Sequence, residues 1–247
     1  MRSSAFEKLR GLGFDETAAG VLADHFVAAE QSGRTGHGLA RIDWLATLPG
    51  LDPAASPERL VAEPGYERWD GRGALGYLTL DAVVRAQVVE PPERARLVVA
   101  SASFPTGVLG FWVRRLAEAG LVGVLTATSP PRLSSPDGGP PVAGTNPIAV
   151  GVPSRDGPPV VADVSPARAT YGDVLAGLAS AEDVVPFGGE QAYKAFALAV
   201  GLEALVGALA GPEHGAVLLV ARPEHDSVAW LRERAPDVRL PGDGPSV

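Results

Sequence analysis

Five apolar runs between Arg96 and Ala221 show no alternation of polarity: RLVVASAS, LVGVLTAT, PIAVGVP, PVVADVS and AVLLVA. A strand buried on one face alternates apolar and polar side chains with period two, whereas a continuous apolar run needs cover on both faces. These runs therefore require a β-sheet with helices packed on either side. The segments between and after them supply helices, since GVLGFWVRRLAEAG, EQAYKAFALAVGLEALVGALAG and DSVAWLRERA carry helical spacing. At 247 residues and 46% hydrophobic, the chain suffices for one large α/β domain or two small lobes sharing a core.

The N-terminal part reads differently. Residues 1–31 predict two helices broken at GLGFD, with Asp15 as cap of the second and Val21, Leu22, His25 and Phe26 on one apolar stripe. On that stripe His25 reads as a packed helix histidine. LARIDWLATLPG predicts a short helix, LDPAASPERLVAEPG a loop with a half-turn, and WDGRGALGYLTLDAVVRAQVVEPPE a glycine-rich turn and a helix to about Val89, stopped by Pro91 and Pro92. The expected division is an N-terminal helical segment, 1–68, and an α/β domain, 69–247. Glycine and proline bunch at 129–147 and 240–247, which read as ordered loops or a frayed tail.

Composition removes several function classes. Cysteine is absent, so disulfides, thiolate metal sites and cysteine nucleophiles are excluded. The net charge is −8 and the basic residues are scattered, which argues against nucleic acid or an anionic membrane and favours a small-molecule partner. The first residues, MRSSAFEKLRGLGF, are charged where a signal peptide is apolar. The longest apolar stretch, from Phe196, is shorter than a bilayer span and contains Glu203, so it reads as a buried or interface helix; the cytoplasm is the default compartment. No dinucleotide, P-loop or zinc signature occurs, and His214 and His225 read as exposed turn residues without metal-ligand spacing. GVLGFW could present helix-start N–H groups to a phosphate, or be an ordinary helix start.

Two short segments carry candidate chemistry. In SGRTGHGLAR, His37 lies between two glycines with Arg41 four residues on. Imidazole exchanges a proton near neutral pH and guanidinium grips a carboxylate at two points, although a histidine in a turn can equally face solvent. In AGTNPIAVGVP, a polar turn precedes an apolar strand, and Asn146 can hydrogen-bond a carboxamide or ribose or simply complete the turn.

The segments GHGLAR, DGRGALGY, GLVGVLTATSPP, GTNPIAV, VADVSPARATYGDV and PFGGEQAYKAFALAVGLEALVGALAG occur in an order that resembles the malate/L-lactate dehydrogenases of the second type. These include sulfolactate and ureidoglycolate dehydrogenases and Δ1-piperideine-2-carboxylate reductases. The resemblance implies an L-sulfolactate dehydrogenase-like, non-Rossmann α/β fold, with a mixed sheet covered by helices and an N-terminal helical segment. It implies a homodimer that uses NADH or NADPH to reduce a 2-keto acid or cyclic imino acid. It also implies His37 as acid/base, Arg41 on the substrate carboxylate, Asp163 near the reaction centre, and Ser129, Pro130, Thr145, Asn146 and Lys194 at the cofactor. Asp163 reads equally as a strand-end carboxylate satisfied by backbone N–H groups, and Lys194 as a solvated helix lysine. The chain departs from the family at Gly36 (usually serine), Pro105 (commonly histidine) and Thr128 (usually asparagine), and lacks a segment between YGDVLAGLAS and AEDVVPFGG. These departures open an alternative: a cofactor-free acid/base enzyme or a non-catalytic partner-binding protein.

Overall fold

Asp15 caps the second helix as its position dictates, its Oδ1 accepting the Ala18 N–H at 2.7 Å. The computed structural model describes residues 1–244, so the last three residues of the expected tail at 240–247 lie outside the described residues. The N-terminal helices α1 (Arg2–Gly11) and α2 (Glu16–Gln31) pack together and are followed by α3 (Ala40–Leu45). Leu22, His25 and Phe26 of the expected stripe are buried in the core.

Next come β1 (Glu58–Glu63) and β2 (Tyr66–Asp70), an antiparallel pair across Pro64 and Gly65, where the sequence predicts a loop. β1 is exposed at all but one of its positions, so it carries none of the alternation that reveals a strand. Position 68/69 lies inside β2, and β2 pairs in parallel with β3, so one sheet runs across the expected division.

The remainder is α4 (Gly76–Val89), β3 (Ala95–Ser101), α5 (Leu109–Glu118), β4 (Val122–Ala127), the hairpin β5 (Leu133–Ser135) and β6 (Gly138–Ala143), β7 (Ile148–Val152), β8 (Val160–Val164), α6 (Tyr171–Leu175), α7 (Ala192–Ala210), β9 (Ala216–Ala221) and α8 (Ser227–Arg234). All five apolar runs are strands of a seven-stranded sheet in the order β1-β2-β3-β9-β4-β7-β8, antiparallel except at β2/β3. The 129–147 segment, expected as loop, contains the two-stranded β5/β6 hairpin.

On one face of the sheet, α5 buries Leu109, Trp112, Val113 and Leu116, spaced three and four apart, in a core shared with Leu22 and Phe26 of α2, Leu80 and Val84 of α4, and Val98, Leu125 and Leu218 of the sheet. Each such side chain contributes about 1.5–3 kcal/mol through removal from water. On the other face, α7 covers Val99 and Val217 with Val206 and Ala210. The sequence predicts that α7, apolar nearly all round, packs on more than one side. Within the chain only one stripe does, while Tyr193, Leu198, Val200, Leu205 and Leu209 face outward.

Candidate active site

Strands β3, β4 and β8 end, and β7 begins, at one edge of the sheet, and there the connecting segments enclose a cleft of about 350 Å³. Its walls come from the turn after α2, from α3, from the start of α5, from residues 127–130 after β4, and from residues 170–172 at the start of α6.

His37 enters this cleft from a single 3₁₀ turn, Thr35–His37. Close approach explains the flanking glycines. A Cβ at Gly36 would lie 2.5 Å from Asp173 Oδ1 and 2.7 Å from the Gly172 carbonyl carbon, and one at Gly38 would strike the Glu30 carboxylate. Glu30 instead accepts the Leu39 N–H at 3.0 Å and fixes the chain after the histidine. Nε2 of His37 lies 3.3 Å from Thr170 Oγ1, while Nδ1 is buried without a partner among the described residues. Burial, then the charge of Arg41, pushes the His37 pKa down to about 4 against the opposing pull of Asp173, with Arg34 lowering it further. With its pKa so lowered, His37 is neutral at pH 7.

Arg41 is buried, 7% exposed, on α3. Its Nε donates to the Gly36 carbonyl at 2.9 Å and its guanidinium carbon lies 4.5 Å from the centre of the Trp44 ring. No carboxylate among the described residues lies within ion-pair distance of it. Asp163, at the end of β8, is held otherwise: Oδ2 accepts from Arg34 Nη1 at 2.9 Å and from the Gly110 N–H at 2.8 Å. Burial raises its pKa, while Arg34 and that N–H pull the other way. Asp163 lines the cleft and ties the His37 turn to the start of α5.

Ser129, Pro130 and Thr145 line the cleft, with Ser129 Oγ and Thr145 Oγ1 3.5 Å apart. Asn146 does not. It is fully buried, and its amide is consumed by the fold: Nδ2 donates to the Ala199 carbonyl at 3.1 Å and to Glu203 Oε2 at 2.7 Å, and Oδ1 accepts the Ser129 N–H at 3.3 Å. Lys194 is also elsewhere, exposed near the start of α7 and donating to Gln191 Oε1 at 2.7 Å. Two N–H groups at the start of α5 are taken by the fold, Val108 N–H by His25 Nε2 at 3.0 Å and Gly110 N–H by Asp163 at 2.8 Å. Pro105 forms an apolar patch of wall, and Thr128 turns its hydroxyl to Gly215. His225 is exposed as expected; His214 is half-buried, its ring 5.3 Å from that of Phe104.

Sequence reasoning missed Arg34, Arg132, Thr170 and Asp173. Thr170 with Asp173 forms a capping box, legible as T-x-x-D before a helix. Arg132, whose guanidinium carbon lies 3.5 Å from the centre of the Tyr171 ring, carried no local signal.

Comparison with known proteins begins with a profile of the malate/L-lactate dehydrogenases, which matches residues 1–184. The chain belongs to that family. A Δ1-pyrroline-2-carboxylate/Δ1-piperideine-2-carboxylate reductase of Pseudomonas aeruginosa is 33% identical over 184 residues, covering 70% of this chain and 53% of its own length. A (2R)-3-sulfolactate dehydrogenase (NADP+) of Chromohalobacter salexigens is 30% identical, covering 69% and 52%. The chain thus spans about half the length of these curated relatives. An alignment with the corresponding reductase of Pseudomonas syringae pv. tomato, 25% identical, runs over 288 positions, more than this malate/L-lactate dehydrogenase family member possesses. In fold, the crystal structure of Δ1-piperideine-2-carboxylate reductase from that bacterium superposes with a TM-score of 0.82 over 98% of this chain and 89% of that one, at 23% identity. The sulfolactate dehydrogenase of Methanocaldococcus jannaschii gives 0.79 over 100% and 85%, at 18% identity. The family and fold expected from the sequence are both borne out.

Proposed function

We propose that this chain is a nicotinamide-dependent oxidoreductase that interconverts a small 2-keto acid or cyclic imino acid with its reduced form, His37 exchanging the proton and Arg41 holding the carboxylate. One observation carries this reading: a buried guanidinium without an acidic partner opens on the same cleft as a histidine. An uncompensated buried charge is costly, so such a site is completed by an anion. Arg34, Arg41 and Arg132 line the cleft against the single carboxylate of Asp163, in a chain whose net charge is −8.

The residues fit a nicotinamide. Its carboxamide needs a donor and an acceptor, which the hydroxyls of Ser129 and Thr145 offer, beside the apolar surfaces of Pro130 and Pro105. Asn146 supports this wall from behind. Lys194 lies outside its own chain's cleft, so a cofactor contact from it has to cross the interface of a homodimer, which we infer for the outward face of α7. When bound, reduced nicotinamide supplies hydride to the carbonyl or imine carbon. A carboxylate on Arg41 offsets one of the charges that depress the His37 pKa, so binding of substrate prepares His37 to hold a proton.

Titration of NADH and NADPH, followed by nicotinamide fluorescence, tests this reading. Saturable binding of either is expected. Absence of binding at high micromolar concentration would overturn it in favour of cofactor-free use of the cleft. With cofactor bound, His37→Ala is expected to lower turnover of a 2-keto or cyclic imino acid by about 10²–10⁴-fold, as for loss of a general acid, while cofactor affinity holds.

A further inference from the structure

Thr170 carries the one side-chain polar atom within hydrogen-bond distance of the His37 ring among the described residues. Its hydroxyl has a single proton, and Asp173 claims it: Thr170 Oγ1 donates to Asp173 Oδ2 at 2.8 Å, and the same oxygen accepts the Thr170 N–H at 2.7 Å. An ionised carboxylate only accepts, so the direction of this bond is fixed. One lone pair of Thr170 Oγ1 accepts the Asp173 N–H at 3.3 Å, and the other faces Nε2 of His37, an arrangement that favours a neutral ring protonated on Nε2. Nδ1 is then a bare lone pair, consistent with its burial without a partner. Thr170 lines the cleft together with His37.

A capping box on a five-residue helix would account for the Thr170–Asp173 bonds alone. It does not account for the way the start of α6 is pressed onto the His37 turn. A Cβ on Gly172 would fall 2.4 Å from the Gly36 carbonyl oxygen and 2.7 Å from Arg41 Nη2, and one on Gly36 would meet Asp173. The two segments thus approach backbone to backbone, which holds the start of α6 against the His37 turn.

We propose that Thr170 and Asp173 are positioning residues for His37, the carboxylate orienting the hydroxyl and the hydroxyl holding the Nε2–H tautomer at the cleft. This rests on the reading of His37 as the proton-transfer group. The 3.3 Å contact is long for a hydrogen bond, so a substrate oxygen or nitrogen can share or displace it without a large loss. The charged and titratable groups that act on His37 are Arg41 of α3, Arg34 of its own turn and Asp173 of α6, and His25 of α2 interacts with it electrostatically.

The test reads the imidazole directly. In the full chain at pH 7, without cofactor or substrate, the ¹⁵N shifts of His37 are expected to report the Nε2–H tautomer. Thr170→Ser is expected to keep it and Thr170→Val to lose it. Asp173→Asn, which retains an acceptor for the Thr170 N–H, is expected to mix the tautomers and lower the His37 pKa. In turnover, Asp173→Asn is expected to lower kcat at least 10-fold with KM within about twofold. An Nδ1–H tautomer in the unaltered chain, or identical spectra for Thr170→Ser and Thr170→Val, would overturn the proposal. Should Thr170→Val not fold, Thr170→Ser and Asp173→Asn decide it between them. Because the spectra need no cofactor, failure of the redox reading and failure of this one are separable.

Discussion

His25 lies on α2 behind the cleft, fully buried, its ring within 5.7 Å of those of Phe26, Tyr77, Phe111 and Trp112. Nε2 accepts the Val108 N–H, so the proton sits on Nδ1, and burial, followed by the charge of His37, pushes the pKa down to about 3. His37 is lowered to about 4. Both are neutral in the folded chain over a range where the unfolded chain, with histidine near 6.5, binds protons. Stability from these groups is complete above about pH 6.5 and is lost as pH falls toward 4 for His37 and 3 for His25. Where both differ by a full proton the slope approaches about 2.7 kcal/mol per pH unit, at about 1.36 kcal/mol per proton. Urea unfolding at pH 7.5 and pH 5 measures it. His25→Gln leaves an acceptor for Val108 and removes one titration, so the loss between those pH values is expected to fall by about half; an unchanged loss refutes the assignment.

Among the elements, α7 does more than cover a sheet face. Its Glu203 reaches the GTNP turn, Oε2 accepting from Gly144 N–H at 3.0 Å and from Asn146 Nδ2, and the turn in turn holds Ser129 on the cleft wall. Asn146 has φ of 23°, a backbone region asparagine tolerates better than most residues. Asn146→Ala leaves the Ser129 N–H without its acceptor and removes one of the two donors on Glu203, and is expected to destabilise the chain by about 1–3 kcal/mol in urea unfolding. If the wall is its only link to the cleft, cofactor affinity weakens less than it does for Thr145→Val, which removes a lining hydroxyl. A polar turn before an apolar strand was legible in the sequence, as were strands β3, β4, β7, β8 and β9, each written as an unbroken apolar run. The partner of Asn146 was not legible: it lies 57 residues away, and only the crossing of α7 brings it there. The two hairpins were missed although Pro64-Gly65 and Pro136-Asp137-Gly138 mark their turns, since β1 is exposed and β6 carries two prolines, and neither shows periodicity. His37 and Arg41 were legible as types, but their shared cleft required the turn to fold back against α6.

At the scale of the whole molecule, the unalternating strands called for cover on both faces, and one chain supplies it only in part. Beyond α7, Leu219 of β9 remains 45% exposed on the same face as the covered Val217, and Leu198, Leu205 and Leu209 stand outward on the helix beside it. The span Gly189–Ala210 has the length and composition of a membrane crossing, but Glu203 at its centre is bonded into the fold and one stripe packs on the sheet. The proposed second copy, meeting this face, would bury the helix and Leu219 together and set Lys194 and Tyr193 of one chain against its partner. Light scattering at micromolar concentration is expected to give the mass of a dimer. Leu205→Glu places a charge in that interface without touching the packed stripe, and is expected to yield a monomer with an unchanged far-ultraviolet spectrum. If Lys194 serves the partner's cleft, the monomer binds NADPH more weakly than the dimer although its own His37, Arg41 and Ser129 are intact. A monomeric mass for the unaltered chain sinks the dimer, and equal NADPH affinity in both forms confines the cleft to one chain.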